Sequence, residues 1–209
     1  MKIAYVFLNG ELKGKEEFYI DILNKRKGNI FCADGGASHL EKLNLFPDEL
    51  WGDLDSISNS LLSKYKENNV KIIKFSKNKD KTDGELLISH LSSLNYDEIV
   101  IIGGLGGRTD HFLSNINWLF MYERLYFITE TETIFKVHSG QTFEKYVNCT
   151  VSFVPYSRIV KNVSLMGFKY PLDNYTIKIG DSICMSNIVT SRESSIQVSK
   201  GDLICIINQ

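Results

Sequence analysis

The chain is expected to fold as an α/β N-terminal domain, a mainly parallel sheet flanked by helices, followed by a C-terminal all-β sandwich. Two patterns predict this. Up to about residue 137, short β-rich runs alternate with longer stretches of helical periodicity, the order that lays helices over a parallel sheet. Beyond Ser139-Gly140 the runs are short, dense in Val, Ile, Thr and Tyr, and separated by turn residues without a helical period, as in all-β domains. Length supports both halves, since a chain of 209 residues buries roughly 70% of its unfolded surface and needs no staples. The expected domains are residues 1–138 and 139–209.

The first-domain strands are read at Lys2–Leu8, Asn29–Ala33, Lys71–Phe75, Glu98–Ile102 and Leu125–Thr129. Leu86, Leu87, His90, Leu91 and Leu94 recur at helical spacing, as do Phe112, Ile116, Leu119 and Phe120. These apolar faces are core. In the second domain the strands fall at Thr142–Tyr146, Thr150–Val154, Ile159–Leu165, Tyr175–Ile179, Ser182–Ser186, Ser194–Val198 and Asp202–Ile207. The opening stretch Met1–Leu8 carries one lysine, runs into Asn-Gly and lacks a small-residue cleavage site, so it reads as a strand rather than a leader.

Composition narrows the function. With 24 Lys+Arg against 25 Asp+Glu, the chain lacks the broadly basic surface of many nucleic-acid binders, and no nucleic-acid partner is expected. No run reaches the ~18 apolar residues of a membrane span; even Trp118–Ile128 is broken by Glu123 and Arg124. A soluble, cytoplasmic protein with no membrane partner is expected. The cysteines at 32, 149, 184 and 205 and the histidines at 39, 90, 111 and 138 are scattered, which predicts packed thiols and no zinc site.

The carboxylates fall just after strands. Asp34 follows the strand ending at Ala33, in Ala33-Asp34-Gly35-Gly36-Ala37; Asp53 and Asp55 lie in Trp51-Gly52-Asp53-Leu54-Asp55-Ser56; Asp80 and Asp83 lie in Asp80-Lys81-Thr82-Asp83; Asp110 closes Gly103-Gly104-Leu105-Gly106-Gly107-Arg108-Thr109-Asp110. Taken singly, each is explained as a turn or a helix cap. Together they point to one crevice outside the carboxyl ends of a parallel sheet. The glycines allow close backbone approach ahead of a helix start, an anion cradle that Arg108 extends with its planar fork. The loop is neither a Walker A motif nor a dinucleotide fingerprint. Phosphate beside carboxylates requires a cation between them, and Mg²⁺ prefers one or two carboxylates plus phosphate oxygens. Two residues apart in an extended stretch, Asp53 and Asp55 point the same way, with Asp83 approaching from the next loop. Metal-assisted phosphoryl transfer uses such a set.

These four motifs, in this order and spacing, resemble the thiamine pyrophosphokinase family. The resemblance continues through Gly167-Phe168-Lys169-Tyr170-Pro171-Leu172 and Ser186-Asn187, covering nearly the whole chain. It implies Mg²⁺-dependent transfer of the β,γ-pyrophosphoryl group of ATP to the hydroxyethyl oxygen of thiamine, giving thiamine diphosphate and AMP. It also implies a homodimer with thiamine held between subunits. By motif, Asp53, Asp55 and Asp83 are the expected catalytic and Mg²⁺-binding residues. Asp34, Gly103, Gly104, Gly106, Gly107, Arg108 and Asp110 are the expected ATP side. Tyr170, standing where some relatives have Trp, would stack on a thiamine ring, and Ser186 and Asn187 would hydrogen-bond the aminopyrimidine.

Departures from the family pattern are Ser38-His39 in place of a common Asn-Arg, Leu54 for a frequent Phe, and Gly84 after Asp83 where Thr or Phe is typical. Two other readings compete. A pyrophosphokinase for another hydroxymethyl heterocycle, such as a pterin, would keep the same Asp and Gly set. A non-catalytic thiamine or nucleotide sensor would be expected to lose the metal-binding carboxylates, which are intact here.

Overall fold

A computed structural model describes all residues, 1–209. The chain divides into two compact units, Met1–Glu130 and Thr131–Gln209. The change of texture at Ser139-Gly140 therefore falls inside the second unit, after its first strand.

In the first unit the elements run β1 (Ile3–Phe7), α1 (Glu16–Lys25), β2 (Asn29–Ala33), α2 (Ala37–Lys42), β3 (Glu49–Gly52), α3 (Asn59–Glu67), β4 (Lys71–Lys74), α4 (Asp83–Ser92), β5 (Glu98–Ile102), α5 (Thr109–Met121) and β6 (Leu125–Ile128). The strands lie in the order β6-β5-β1-β2-β3-β4, and every pairing is parallel. All five residues of β1 are buried, the signature of a central strand covered on both faces. One core joins Tyr5, Phe7, Tyr19, Leu40, Leu50, Tyr65 and Val100. Side-chain caps start two helices: Ser58 accepts from the Leu61 N–H of α3 and Thr82 from the Glu85 N–H of α4. Gly84 is the second residue of α4, and a Cβ there would press on Trp118 at 3.0 Å and Leu8 at 3.2 Å. Close packing accounts for glycine at this position.

The second unit holds β7 (Glu132–Lys136), β8 (Gln141–Thr142), β9 (Thr150–Pro155), β10 (Ile159–Met166), β11 (Leu172–Lys178), β12 (Asn187–Ile188), β13 (Ser195–Gln197) and β14 (Leu203–Asn208). Antiparallel pairing joins β12-β9-β14-β7 and, separately, β11-β10-β13-β8. One core draws Val151, Phe153 and Cys205 from the first set and Val163, Leu165, Ile177 and Ile196 from the second, which is the packing of a sandwich. Two expected strands differ. Thr142–Tyr146 is strand only at Gln141–Thr142 and then turns through a 3₁₀ segment, Glu144–Tyr146. Ser182–Ser186 is turn, and the strand is the two residues that follow; exposed Ile183 and Met185 supplied an apolar alternation with no core behind it.

All four thiols are free; Cys32, Cys184 and Cys205 are buried and Cys149 is half-buried. Burial raises the pKa of the three buried ones. No helix is long and apolar enough to cross a membrane.

Candidate active site

From β1 the sheet grows through β2, β3 and β4 on one side and through β5 and β6 on the other. Ligands of such sheets bind outside the carboxyl ends of the strands where the order reverses, here beyond β1 and β5. The loops at that point are laced together. Leu8 N–H donates to Ile102 O at 2.9 Å, Gly10 N–H to Gly103 O at 2.7 Å and Glu11 N–H to Leu105 O at 2.9 Å. Gly103 has φ +68°, and a Cβ on it would strike the Leu8 carbonyl oxygen, so both backbone conformation and packing demand glycine. Asn115 on α5 donates to Gly104 O at 2.9 Å. His39 fixes the other side, with Nε2 2.8 Å from Gly10 O. Burial lowers its pKa, so the neutral ring donates that proton. His39 serves the cradle, a role that a scattered histidine did not betray.

Beyond β2 and β3 the carboxylates converge. One oxygen from each of Asp34, Asp53 and Asp55 lies within 4.8 Å of the others. The route differs from the extended stretch expected for Asp53 and Asp55. Leu54 has φ +71° and Asp53 Oδ1 accepts the Asp55 N–H at 3.1 Å, so a turn, not strand alternation, gathers the two side chains. Asp34 has φ +44°, and a Cβ on Gly52 would come within 2.9 Å of its Oδ1. That oxygen is buried without a hydrogen-bond partner. Burial, and then the charges of Asp53, Asp83 and Asp55, raise the Asp34 pKa, with Ser56 offsetting part of the rise. Crowded hard oxygen ligands, one of them buried and unsatisfied, fit a divalent cation such as Mg²⁺. The third member of the closest group is thus Asp34, expected on the ATP side. Asp83, at the first turn of α4, faces the same cleft and pairs with Lys79 Nζ at 3.1 Å.

The cleft measures about 910 Å³ and is lined by Asp34, Asp53, Asp55 and Asp83 together with Gly103, Gly104, Gly106, Gly107 and Arg108. Asp110 stands outside this lining. It takes both arms of the Arg108 fork, at 3.1 and 2.6 Å, and the His111 N–H at 2.9 Å, which holds its carboxyl down at about 2. Lys77 and Lys79 also line the cleft. Lys77 Nζ meets Asp55 Oδ2 at 2.6 Å, and this bond, ahead of Ser56, lowers the Asp55 pKa. Both lysines were missed, although lysine at every second position in Lys77-Asn78-Lys79-Asp80-Lys81 beside carboxylate motifs was the available signal.

In the second unit Tyr170 is 55% exposed, on the loop between β10 and β11. Ser186 is exposed, at φ +52°, and its N–H donates to Ser152 Oγ at 3.0 Å. Asn187 is buried, and its side chain bonds main-chain groups: it accepts from the Tyr170 N–H at 3.0 Å and the Ile188 N–H at 2.9 Å, and donates to Tyr170 O at 2.8 Å.

Comparison with known proteins decides the lineage. Residues 20–128 match the family model described as "Thiamin pyrophosphokinase, catalytic domain" and residues 135–203 match "Thiamin pyrophosphokinase, vitamin B1 binding domain". The chain belongs to the thiamin pyrophosphokinase family. It is 33% identical over 182 residues to the thiamine pyrophosphokinase of Bacillus subtilis, covering 83% of this chain and 84% of that one. It is 29% identical over 205 residues to thiamine pyrophosphokinase 2 of Arabidopsis thaliana, covering 85% and 76%. Solved thiamine pyrophosphokinase structures agree in fold. That of Bacillus subtilis has a TM-score of 0.84 at 27% identity, over 100% of this chain and 99% of that one. That of Geobacillus thermodenitrificans has 0.83 at 26%, over 100% and 98%. The family's catalytic-domain match contains the whole carboxylate group and the glycine cradle, and its vitamin B1 match contains Tyr170, Ser186 and Asn187.

Proposed function

We propose that this chain is a thiamine pyrophosphokinase, moving the terminal pyrophosphoryl group of ATP as a unit onto thiamine to leave AMP. In the reaction the thiamine hydroxyethyl oxygen bonds to the β-phosphorus, and the bond from that phosphorus to the α,β-bridging oxygen breaks. The observation that carries this reading is the convergence of Asp34, Asp53 and Asp55 in one cleft with the 103–107 cradle, in a chain matched by both family models.

The first unit is assigned the nucleotide. The backbone N–H groups of residues 103–107 and the start of α5 donate to phosphate oxygens, and Arg108 turns its fork from Asp110 to them. Asp53 and Asp55, with Asp34 and Asp83 beside them, are the residues that hold Mg²⁺. When bound, that ion neutralises the charge that builds on the phosphates in the transition state. Lys77 and Lys79 add fixed positive charge along the same wall. An alcohol is a weak nucleophile at neutral pH, so a cleft carboxylate accepts its proton as the new P–O bond forms.

The second unit is assigned thiamine, with the Tyr170 ring as the stacking surface for a cationic heterocycle and Ser186 as a hydrogen-bonding group. A homodimer acting in the cytoplasm completes the reading, and light scattering on the purified protein tests the dimer. For the reaction, Mg-ATP with thiamine is expected to yield equal amounts of AMP and thiamine diphosphate. Formation of ADP, or AMP release only with a hydroxymethylpterin, overturns the assignment. Binding of both substrates without AMP would favour the sensor.

A further inference from the structure

The loop that carries Tyr170 takes its hydrogen bonds from a single later segment, through both main chain and side chains. Gly167 O accepts from the Thr190 N–H at 2.9 Å, the Thr190 hydroxyl at 2.8 Å and the Ser194 hydroxyl. Phe168 is buried, edge-on to Phe143 and Phe153. Lys169 N–H donates to Ile188 O at 2.9 Å. At Tyr170 the partner of both main-chain groups is one amide, that of Asn187.

We infer that Asn187 is a positioning residue, a clip that fixes the Tyr170 backbone so that its ring stands ready for the thiamine heterocycle, rather than a ligand of the aminopyrimidine. The inference rests on the reading of Tyr170 as the stacking surface. Asn187 retains 2% of its surface, and three of its four hydrogen-bonding positions point at main chain, leaving no exposed amide for a substrate. Its Oδ1 accepts from Tyr170 and Ile188 while its Nδ2 donates back to Tyr170, a fork that no other uncharged side chain but Gln offers. An exposed aromatic on a loop whose main chain is fixed loses little further freedom on binding, and such preorganisation raises affinity without adding contacts.

A double-mutant cycle separates the clip from a direct contact, because residues acting through one another are not additive. Tyr170→Ala is expected to raise the thiamine KM about tenfold, the scale of one ring-cation contact. Asn187→Ala is expected to raise the same KM by up to about tenfold, leaving the ATP KM and kcat within about twofold, and to add nothing once Tyr170 is Ala. Multiplying effects, about a hundredfold in the double variant, would show an independent contact and overturn the clip. Equal loss of kcat and both affinities would show general damage and overturn it too. Asn187→Asp, which keeps both accepted bonds and loses the donated one, substitutes if the alanine variant does not fold, and a raised thiamine KM that vanishes in the Tyr170→Ala background is again expected. Slow hydrogen exchange at the Tyr170 amide is expected in the unaltered protein, and free exchange would overturn the proposal without any variant. Should Tyr170→Ala leave the thiamine KM unchanged while product forms, the clip falls with the ring site but the pyrophosphokinase reading stands; absence of product from the unaltered protein removes that reading itself.

Discussion

Around Asp34 three carboxylates crowd within 4.8 Å and one buried oxygen has no hydrogen-bond partner; around Tyr170, a buried amide, the buried Ser194 hydroxyl and the exposed Thr190 hydroxyl answer the main chain group by group. The first region is electrostatically incomplete and the second is already satisfied. This difference fits the two tasks proposed for the regions. Holding a magnesium polyphosphate needs negative charge assembled in advance at a cost to the empty site, whereas stacking a flat ring needs only an aromatic kept in place.

The comparison breaks most readily at Asp55. Asp55→Asn removes charge from the proposed metal site, and AMP formation is expected to fall about a hundredfold or more, the scale seen when one transition-state-stabilising group is lost. Near-normal turnover in a steady-state assay would remove Asp55 from the metal site. Next in size is Ser194→Ala in the second unit, which strips Gly167 O and Ser191 O of a buried donor. A stability loss of about 1–2 kcal/mol is expected in denaturant titration, with the same increment at any Mg²⁺ concentration, because the fault lies outside the charged region.

The smallest effect sharpens the contrast through pH. Because the folded-state pKa of Asp34 is raised, its ionisation opposes folding. The stability it allows is complete below the ordinary carboxylate pKa near 3.8 and is lost as pH rises through the elevated one. Asp34→Asn, which tolerates the left-handed backbone at this position, is therefore expected to lose less Tm between pH 4 and pH 7 than the unaltered chain in EDTA. Saturating Mg²⁺ is expected to stabilise the unaltered chain more than the variant. Identical pH profiles in EDTA would mean that like-charge crowding there is energetically silent.

Much of this was legible because strand-to-helix junctions of a parallel sheet carry their chemistry in short contiguous motifs. Asp34, Asp53, Asp55, Asp83 and the 103–107 glycines are each read from a few neighbouring residues, and strands Asn29–Ala33 and Glu98–Ile102 agree to the residue. What stayed hidden depends on distant parts of the chain or on very short elements. β3 has four residues ending in Trp-Gly, too few to show a period, and α1 through α3 were not resolved from their polar surroundings. The bond from His39 to Gly10 spans 29 positions and that from Asn187 to Tyr170 spans 17; no local pattern announces either. The most closely gathered acids are Asp34, Asp53 and Asp55 where Asp53, Asp55 and Asp83 were expected, since left-handed turns at Asp34 and Leu54, not strand alternation, decide which acids meet.

The two walls of the cleft are fastened by different means. On the glycine side, main-chain rungs carry the ladder of β1 and β5 past the strand ends into the turn, so that wall is held by backbone. The facing segment, residues 76–82, meets Asp55 through the Lys77 bridge, whose two ends are 66% and 46% exposed, and α4 through the Lys79–Asp83 and Lys81–Glu85 bridges. One wall of the cleft is thus set by backbone and the other by paired charges, so added salt is expected to loosen only the second.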